Sequence, residues 1–491
     1  MADGVHGKEM VAVNPRTGAP DYHFRAASSA DVAAAANDLR RAQSAWAALG
    51  VTGRAAALSR WSDAITANRD AIIAALATDT GRWFLSETEV DGAARNLKRW
   101  ANMAPDMLGA DMRGPERASA LISTVRYQNQ YVPYTLAGFI SPWNFPVTLS
   151  LIDAAPALAA GCAVIIKPSE VTPRFVEPLV ATLDAVPELK AVCRFMLGGA
   201  ETGQALIENV DLICFTGSVN TGRKVAEAAA RRFIPASLEL GGKDPVIVLA
   251  SADLEQATDA VVRASLSNTG QACLSIERVY VQRPLYDTFV QRLCEKASKI
   301  EINYPDIHKG HIGPLIHGPQ ADIIERHLNE AVERGATIHC GGKIETHGGG
   351  RWCPATVVTG VSHDMSLMME ETFGPVIPVM AFDTADEAVE LANDTSFGLS
   401  AAVIAGTVEE AKPVAERINA GGLSINDCGL TIMTYEPETN SFGFSGMGGS
   451  RMGPGSIHRF LRKKALIMQT GAPSSLDAMA ESKAAALKAA T

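Results

Sequence analysis

The spacing of apolar residues changes several times along this chain, and each change marks a new kind of structure. In residues 29–108 they recur every three or four positions through alanine-rich sequence, which predicts a block of amphipathic helices. Before it, residues 11–23 carry short apolar pieces around the turn-forming sequence NPRTG, which predicts a hairpin. Residues 117–136 have a strand-like pattern, so we expect an arm that pairs with another part of the molecule or with another subunit.

From residue 136 to about residue 425, short apolar stretches alternate with helical patterns, as is typical of βαβ units around a parallel sheet. A second series begins after the sequence GGK at residues 241–243. The predicted fold class is therefore α/β, with two Rossmann-like doubly wound parallel-sheet domains and a small β arm. Residues 440–455 are glycine-rich and loop-like, and residues 457–468 return to a strand pattern. We expect residues 471–491 to form a frayed tail or a single helix.

Composition narrows the class of protein. A chain of 491 residues exceeds what one core usually supports, and 47% hydrophobic with 20% charged residues is typical of a globular protein. The net charge of -10 and the lack of a Lys/Arg block argue against a nucleic-acid partner. The apolar run 149–166 contains Asp153, Pro156 and Gly161, so we interpret it as a helix followed by a buried strand and expect no membrane span.

The eight cysteines include no C-x-x-C pair and no zinc spacing. We therefore expect free thiols, no metal site and a cytoplasmic location. The first ten residues lack a basic stretch followed by an apolar core, so no secretory signal is predicted.

One cysteine has a setting that suits a nucleophile. Cys273 lies in NTGQACLSIERV, a small-residue turn between a helical pattern and an apolar strand. Backbone amides at such a turn can hold a thiol that attacks a carbonyl. Inert packing is the common alternative for a free cysteine, so the hypothesis needs partner residues elsewhere in the chain.

Two strings could supply those partners. Asn144 lies in the double-proline turn SPWNFP, where it could be a fixed hydrogen-bond donor for an oxyanion or a helix cap. Glu239 lies between two leucines in LELGGK, where it could be a general base or a strand-end carboxylate that faces water.

Two further strings are suited to phosphate and ribose. FTGSVNTG places Gly217 and Ser218 at a strand-to-helix turn, where N–H groups and the helix dipole can receive a phosphate; an ordinary tight turn is the alternative. KPSE places Lys167 and Glu170 just beyond a buried strand, where a carboxylate can accept ribose hydroxyls; a solvated loop with a surface ion pair is the alternative.

In chain order, the strings SPWNFP, KPSE, FTGSVNTG, LELGGKDP, NTGQACLSIERV, EETFGPV and FGLSAAV resemble the aldehyde dehydrogenase superfamily over nearly the whole chain. The resemblance implies Cys273 as the nucleophile, Glu239 as the general base and Asn144 as the oxyanion donor. It also implies a set of cofactor-binding residues: Ile140, Trp143, Lys167, Glu170, Gly217, Ser218, Glu371 and Phe373.

The implied cofactor is NAD+, with NADP+ possible, because a carboxylate at Glu170 accepts a ribose 2′-hydroxyl and repels a 2′-phosphate. The implied roles are the adenosine ribose for Lys167 and Glu170, the pyrophosphate for Ser218, the nicotinamide ribose for Glu371, and the cleft wall for Trp143 and Phe373.

The implied reaction oxidises an aldehyde to a carboxylic acid through a cysteine thiohemiacetal and a thioester, which is hydrolysed with Glu239 as the base. Relatives that transfer the acyl group to coenzyme A carry a different residue in the string around Glu239. Residues 440–450, NSFGFSGMGGS, depart from the family pattern P-F-G-G-x-K-x-S-G because the proline and the lysine are missing. Substrate class and assembly are the inferences that this departure affects.

We expect the substrate channel to be lined by Leu149, Ile152, Leu274 and Phe442, without an arginine where semialdehyde dehydrogenases that bind a distal carboxylate have one. An aromatic or medium aliphatic aldehyde is therefore predicted, with a semialdehyde or a coenzyme A-acylating reaction as alternatives. We expect a homodimer or homotetramer. The predicted divisions are 1–115 and 134–242 for the NAD-binding domain, 243–436 for the catalytic domain, 116–133 and 437–470 for the oligomerisation arm and bridging region, and 471–491 for the tail.

Overall fold

The helical block predicted for residues 29–108 is present in the computed structural model, which describes residues 7–109 and 111–481. Its four helices are Ser29–Ala48, Gly50–Ala67, Arg69–Thr80 and Phe84–Leu108. Ser28 starts the first helix because its hydroxyl accepts the Asp31 N–H while the Asp31 carboxylate accepts the Ser28 N–H. The predicted hairpin is also present, with antiparallel strands Glu9–Val13 and Pro20–Arg25.

The first sheet has six strands. Across the sheet they are Gly446–Met447, Ala236–Glu239, Leu212–Thr216, Leu136–Ile140, Ala163–Lys167 and Cys193–Phe195. All pairs are parallel except the edge strand Gly446–Met447, which comes from the glycine-rich segment that was expected in the arm. The helices along this part of the chain are Pro146–Leu151, Ala154–Ala160, Val176–Ala181, Pro187–Lys190, Ala200–Asn209 and Val219–Arg231, with a 3₁₀ turn at Thr182–Ala185.

The second sheet has seven strands. Across the sheet they are Thr337–Cys340, Thr356–Thr359, Val376–Phe382, Ile276–Gln282, Asp244–Val248, Ser400–Ile404 and Gly422–Ile425. Only the first is antiparallel to its neighbour. The helices are Leu254–Leu266, Arg283–Ala297, Pro319–Glu333, Ser366–Met369, Ala385–Asn393, Val408–Ala415 and Leu430–Met433, and a hairpin forms from Glu345–His347 and Gly350–Trp352. The predicted α/β class with two parallel sheets is confirmed.

The predicted arm is a three-stranded antiparallel sheet. Arg117–Ala118 and Leu461–Gln469 lie on either side of Val125–Pro133. The strand predicted from residue 457 begins later, because Pro454–Phe460 is a 3₁₀ helix. Its residues Ile457 and Phe460 are three positions apart and both buried, so the apolar pattern there has helical spacing.

The apolar run 149–166 is split between two short helices and the strand Ala163–Lys167, which is buried along its whole length. None of the helices in the described ranges has both the length and the apolar character needed to cross a membrane. Within the same ranges, no group of three or more His, Cys, Asp or Glu side chains is placed to hold a metal ion.

Most strands of the first sheet lie within residues 134–242, and those of the second lie within 243–436. The division of the chain into domains stays a prediction. Of the expected tail, Leu476–Met479 forms a 3₁₀ turn, and residues 482–491 lie outside the described residues. The first six residues, on which the absence of a secretory signal partly depends, lie outside them as well.

Candidate active site

Cys273 lies where two cavities meet, because it contributes to the lining of both. The larger cavity, of about 350 Å³, lies at the carboxyl ends of the first sheet's strands, where ligands bind in open α/β sheets. Of the predicted residues it is lined by Trp143, Asn144, Gly217, Ser218, Glu371 and Phe373. The smaller cavity has a volume of about 140 Å³, and Glu239 is in its wall.

The turn that carries Cys273 has a strained backbone. Asn268, Thr269 and Gly270 have φ angles of 53°, 60° and 70°, a region that a β-branched threonine rarely adopts. The Thr269 hydroxyl donates to the Gly313 carbonyl at 3.1 Å and accepts the Gly313 N–H at 2.9 Å. These two bonds offset the strain and fix the turn on which the thiol is mounted.

Burial raises the pKa of the Cys273 thiol well above its usual range, and the carboxylates of Glu239, Glu371 and Asp244 raise it further. The Arg451 guanidinium acts in the opposite direction. The thiol is therefore neutral near pH 7, so nucleophilic attack requires a group that removes its proton.

Alkylation of Cys273 by iodoacetamide is expected to be slow at pH 7 and to accelerate about tenfold per pH unit up to pH 9, because only the thiolate reacts. Glu239→Gln should accelerate it at any fixed pH, since loss of the neighbouring negative charge lowers the pKa of the thiol. Site-resolved mass spectrometry separates Cys273 from the half-buried Cys294 and Cys340. A rate that is already constant below pH 7 would contradict the raised pKa.

Asn144 is buried beside the same turn. Its side-chain Nδ2 donates to the Gln271 backbone carbonyl at 3.0 Å. The backbone carbonyl of Asn144 accepts from Asn268 Nδ2 at 3.0 Å and from Arg82 Nη2 at 2.8 Å. Helix Pro146–Leu151 has no side-chain cap, so the alternative role of Asn144 as a helix cap is not observed. The amide instead lies next to the backbone that precedes Cys273.

A buried ion pair forms hydrogen bonds with the backbone of the loop that contains Asn144. Arg82 Nη2 and Glu89 Oε1 are 2.9 Å apart, and their side chains are 6% and 3% exposed. Glu89 also accepts the N–H groups of Val147 and Thr148 at 3.2 Å each. Burial raises the pKa of Glu89, and the positive charge of Arg82 opposes that rise. The pair thus joins the helical block to the turn that presents Asn144.

Glu89→Ala is expected to reduce the free energy of unfolding by about 3 to 5 kcal/mol, because it leaves a buried arginine without its counter-charge. Urea denaturation measures the loss. Asp91→Ala is the control on the same helix, since Asp91 pairs with Arg69 at 3.0 Å with both side chains more than a third exposed; its effect should be much smaller. Equal losses of unfolding free energy in the two variants would contradict the larger stabilisation expected from the buried ion pair.

The segment of Glu371 and Phe373 is positioned by a buried ion pair that the sequence analysis missed. Glu277 lies 2.6 Å from Lys243 Nζ and accepts the N–H groups of Thr372 and Phe373 at 2.8 Å each. Phe373 has a φ of 52°, which those bonds help to maintain. The sequence did contain a signal for this pair, because Lys243 is a charged residue in the string LELGGKDP and Glu277 is one in NTGQACLSIERV.

Glu371 lies against the glycine pair that follows Glu239. Its Oε1 accepts the Gly242 N–H at 3.1 Å. A Cβ on Gly241 would lie 2.6 Å from the Glu371 carboxylate, so a larger residue there would push this side chain away from the Gly242 N–H. Two elements far apart in sequence therefore meet at the wall of the larger cavity.

Aromatic rings form another part of that wall. The rings of Trp143 and Phe373 meet edge to face with centroids 5.4 Å apart, and the tilted His317 ring lies 5.7 Å from Trp143. His317 lines the larger cavity but was missed, because it lies outside the strings that resemble the family. Burial lowers the pKa of His317, so the ring is neutral at pH 7.

The remaining predicted cofactor residues lie at strand ends beside the cavity. Ile140 and Lys167 end adjacent parallel strands, and Lys167 Nζ lies 3.1 Å from Glu170. Lys167 is buried, whereas the Glu170 side chain is 40% exposed. None of the three is part of the larger cavity's lining.

Ser218 is the N-cap of helix Val219–Arg231, and its hydroxyl accepts the Thr221 N–H at 3.4 Å. Gly217 precedes it after the end of strand Leu212–Thr216. The turn therefore presents a helix N-terminus to the larger cavity, with an exposed serine at its start.

The smaller cavity is mostly apolar. Leu149, Ile152 and Leu274 line it as expected, whereas Phe442 does not. The backbone N–H of Phe442 donates to the Gly398 carbonyl at 2.9 Å, and the residue is 40% exposed. The prediction that Phe442 lines the substrate channel is therefore corrected. Arg451 does line the cavity. The expectation of a wholly apolar lining is therefore corrected, whereas the lack of an arginine at the position where semialdehyde dehydrogenases bind a distal carboxylate stays a prediction.

Glu239 is the last residue of strand Ala236–Glu239 and pairs with Gly446 of the edge strand. Its Oε1 lies 3.1 Å from Arg451 Nη1, and its side chain is 20% exposed. The alternative of a carboxylate that faces bulk water is not observed. Arg451 was missed because it lies in the glycine-rich segment where the sequence departs from the family pattern.

The chain is similar in sequence to known proteins. The model of the aldehyde dehydrogenase family matches residues 2–466. A Mycobacterium tuberculosis protein whose name assigns it as a succinate-semialdehyde dehydrogenase [NADP(+)] is 34% identical over 459 residues, which are 92% of this chain and 86% of that protein.

Two solved structures have the same fold. The aldehyde dehydrogenase assigned as PutA from Anabaena variabilis is 52% identical, with a TM-score of 0.92 over 96% of this chain and 99% of the other. Betaine aldehyde dehydrogenase from Staphylococcus aureus, in complex with NAD+, is 28% identical, with a TM-score of 0.89 over 96% and 94% of the two chains. The family match and the shared fold agree with the placement of Cys273, Asn144 and Glu239 around joined cavities, and the chain therefore belongs to the aldehyde dehydrogenase family.

Proposed function

We propose that this enzyme oxidises an aldehyde to the carboxylic acid with NAD+ and water, with Cys273 as the nucleophile. The observation that carries the proposal is the place of Cys273 at the junction of two cavities. One has a helix N-terminus, the Glu371 carboxylate and a group of aromatic rings in its wall, which suit a dinucleotide. The other is largely apolar and contains Glu239, which suits an aldehyde and a base.

In the proposed mechanism, the Cys273 thiol gives its proton to solvent water, and the thiolate sulfur then bonds to the aldehyde carbon. The resulting alkoxide accepts hydrogen bonds from the Asn144 side chain and the Cys273 backbone N–H, fixed donors that are most effective away from water. NAD+ supplies the acceptor for the hydride that leaves this carbon. Glu239 then takes a proton from the water that attacks the thioester, and the Cys273 thiolate is released with the acid.

We infer a preference for NAD+ over NADP+. Lys167 and Glu170 form the proposed ribose site, and a partly exposed carboxylate there repels a 2′-phosphate. The mycobacterial relative is named for NADP+ and the staphylococcal structure holds NAD+, so the family uses both. The local charge of Glu170 is the argument for NAD+ in this chain.

Glu170→Gln should raise kcat/KM for NADP+ about tenfold, because one unfavourable charge contact is removed, and should change kcat/KM for NAD+ less than threefold. Steady-state kinetics with both cofactors measure the ratio. Glu177→Gln, on the following helix Val176–Ala181, is the control and should leave the ratio unchanged. An unchanged ratio in Glu170→Gln would remove Glu170 from the proposed ribose site.

For the substrate, we propose an aromatic or medium aliphatic aldehyde, because Leu149, Ile152, Leu274 and Phe145 give the smaller cavity an apolar wall. A semialdehyde is the second candidate, favoured by Arg99. This side chain lies over the Tyr435 ring at 3.6 Å, in a side pocket that shares Ile152, Tyr435, Arg451 and Met452 with the smaller cavity. A distal carboxylate of an extended substrate could reach it.

The test is NADH formation from benzaldehyde, hexanal and succinate semialdehyde, each with and without coenzyme A. The proposal expects activity without coenzyme A and a higher kcat/KM for the first two aldehydes. A higher value for succinate semialdehyde, lost in Arg99→Met, would establish the second candidate. Dependence on coenzyme A would overturn hydrolysis, and no NADH from any aldehyde in a panel of varied chain length would overturn the proposed reaction.

We also propose a cytoplasmic homodimer or homotetramer. All eight cysteines are free thiols, as is typical of a reducing compartment. The arm sheet has only three strands, and Ile467 on it is 72% exposed, so a second subunit would cover apolar surface there.

A further inference from the structure

Four charged side chains of alternating sign form a row that ends in the wall of the smaller cavity: Arg459, Asp153, Arg451 and Glu239. Arg459 Nη2 lies 2.6 Å from Asp153 Oδ1, and Arg451 Nη2 lies 2.7 Å from Asp153 Oδ2. At the end of the row, Arg451 Nη1 lies 3.1 Å from Glu239 Oε1. Arg451 and Arg459 come from the C-terminal part of the chain, whereas Asp153 and Glu239 belong to the region of the first sheet.

The row is buried and charged. The side chains of Asp153, Arg451 and Arg459 are 4%, 8% and 10% exposed. Burial alone would raise the pKa of Asp153, but the two guanidinium groups outweigh it and lower the pKa to about 2. Asp153 is therefore a carboxylate at any pH at which the protein works. It fixes the guanidinium of Arg451, which also donates to the Thr216 hydroxyl.

The contact between Arg451 and Glu239 differs from the others in the row. Arg451 Nη1 is buried but, among the described residues, makes no aligned hydrogen bond, although Glu239 Oε1 is within ion-pair distance. Arg451 therefore attracts the carboxylate without locking its direction. Glu239 can therefore stay beside Arg451 at the cavity wall and still rotate towards a water molecule.

We propose that Arg451 is a positioning residue for thioester hydrolysis, holding the Glu239 side chain at the cavity wall beside the acylated Cys273. This inference rests on the proposed function. In the step concerned, a water oxygen bonds to the thioester carbon, the water proton goes to Glu239, and the C–S bond breaks to release the Cys273 thiolate and the acid. A displaced Glu239 cannot accept that proton, so the step depends on Arg451.

The test uses 4-nitrophenyl acetate, an activated ester that acylates a thiol and requires neither cofactor nor hydride transfer. Release of the first 4-nitrophenolate reports acylation of Cys273, and the later steady rate reports hydrolysis of the acetyl-enzyme. Arg451→Met should keep a burst of about one equivalent per site and lower the steady rate at least about tenfold, as expected for a misplaced base. Arg451→Lys should recover most of the steady rate because it restores the positive charge.

Arg459→Met is the matched control. It removes an equally short ion pair to Asp153 together with a 2.8 Å bond from Arg459 Nη1 to the Ser237 hydroxyl, but it does not touch Glu239. Its thermal stability should fall as in Arg451→Met, while its steady rate stays within about threefold of wild type. Equal steady rates in the two variants would overturn the positioning role. If Arg451→Met is not obtained folded, Arg451→Gln, which keeps hydrogen-bonding groups without the charge, is judged by the same criteria.

Two further variants separate failure of this inference from failure of the proposed function. Glu239→Gln should reproduce the Arg451→Met result, a full burst with slow hydrolysis, and Cys273→Ala should give no burst. A wild-type steady rate in Glu239→Gln, or a burst in Cys273→Ala, would overturn the proposed base or nucleophile. Normal results in both, with fast hydrolysis in Arg451→Met, would overturn only the role of Arg451.

Discussion

Cys273→Ala is expected to lower the rate of NADH formation at least about 10⁴-fold for every aldehyde that the enzyme accepts, since removal of a nucleophile leaves only binding and electrostatic effects. Among the residues that the structure describes, no other cysteine lines either of the two cavities. The strained turn is held by Thr269 rather than by the thiol, so the variant should fold normally. NAD+ binding, measured by calorimetry, should change less than threefold.

The matched control is Cys294→Ala on helix Arg283–Ala297. Cys294 is also a half-buried free thiol, but it lies outside both cavities, so its loss should leave kcat within about twofold. Residual turnover in Cys273→Ala comparable to that of this control would remove Cys273 from the mechanism. Loss of NAD+ binding together with activity would instead point to a collapsed site.

Glu239→Gln is expected to slow steady-state NADH formation about 10²- to 10⁴-fold, the range typical of a lost general base. The first turnover should survive as a burst of NADH, because addition and hydride transfer precede hydrolysis. Mass spectrometry of the stalled enzyme should then show an acyl group on Cys273. The amide keeps the size of the side chain, so Leu238 and Leu240 can pack as before.

Hydroxylamine provides the decisive measurement for this variant. A strong external nucleophile cleaves a thioester without a base, so millimolar hydroxylamine should restore much of the turnover of Glu239→Gln and produce the hydroxamate. It should have little effect on Cys273→Ala, which forms no thioester. Absence of both the burst and the rescue would assign Glu239 to an earlier step, the removal of the thiol proton.

The elements of this fold were predictable because their signals are local. The strand Ala163–Lys167 is apolar up to its final lysine. The helix Ser29–Ala48 begins at a capping box whose two residues, Ser28 and Asp31, are three positions apart in the sequence. The start of the final strand was misplaced because Ile457 and Phe460, three residues apart, fit a 3₁₀ turn as well as a strand. A short apolar run cannot distinguish these two forms.

The candidate site was predictable in part, for a similar reason. Cys273, Asn144 and Glu239 each lie in a string with its own distinctive composition, and the structure brings all three to the linings of the two joined cavities. The residues that support them are defined only by contacts across the fold. Arg451 is 212 positions from Glu239 in sequence, as the two residue numbers show, and neither flanking sequence indicates the pair. Phe442 was misplaced because its loop departs from the pattern used to place it.

The edge strand Gly446–Met447 completes the surroundings of Glu239 late in synthesis. The strand that ends at Glu239 receives its last neighbour only when residues 446–447 have emerged, and Arg451 follows them. At translation rates of about 5 to 20 residues per second, the delay after Cys273 emerges is on the order of ten seconds. During that interval the nascent chain contains Cys273 and Glu239 but not yet Arg451. The wall around Glu239 is therefore completed only near the end of translation.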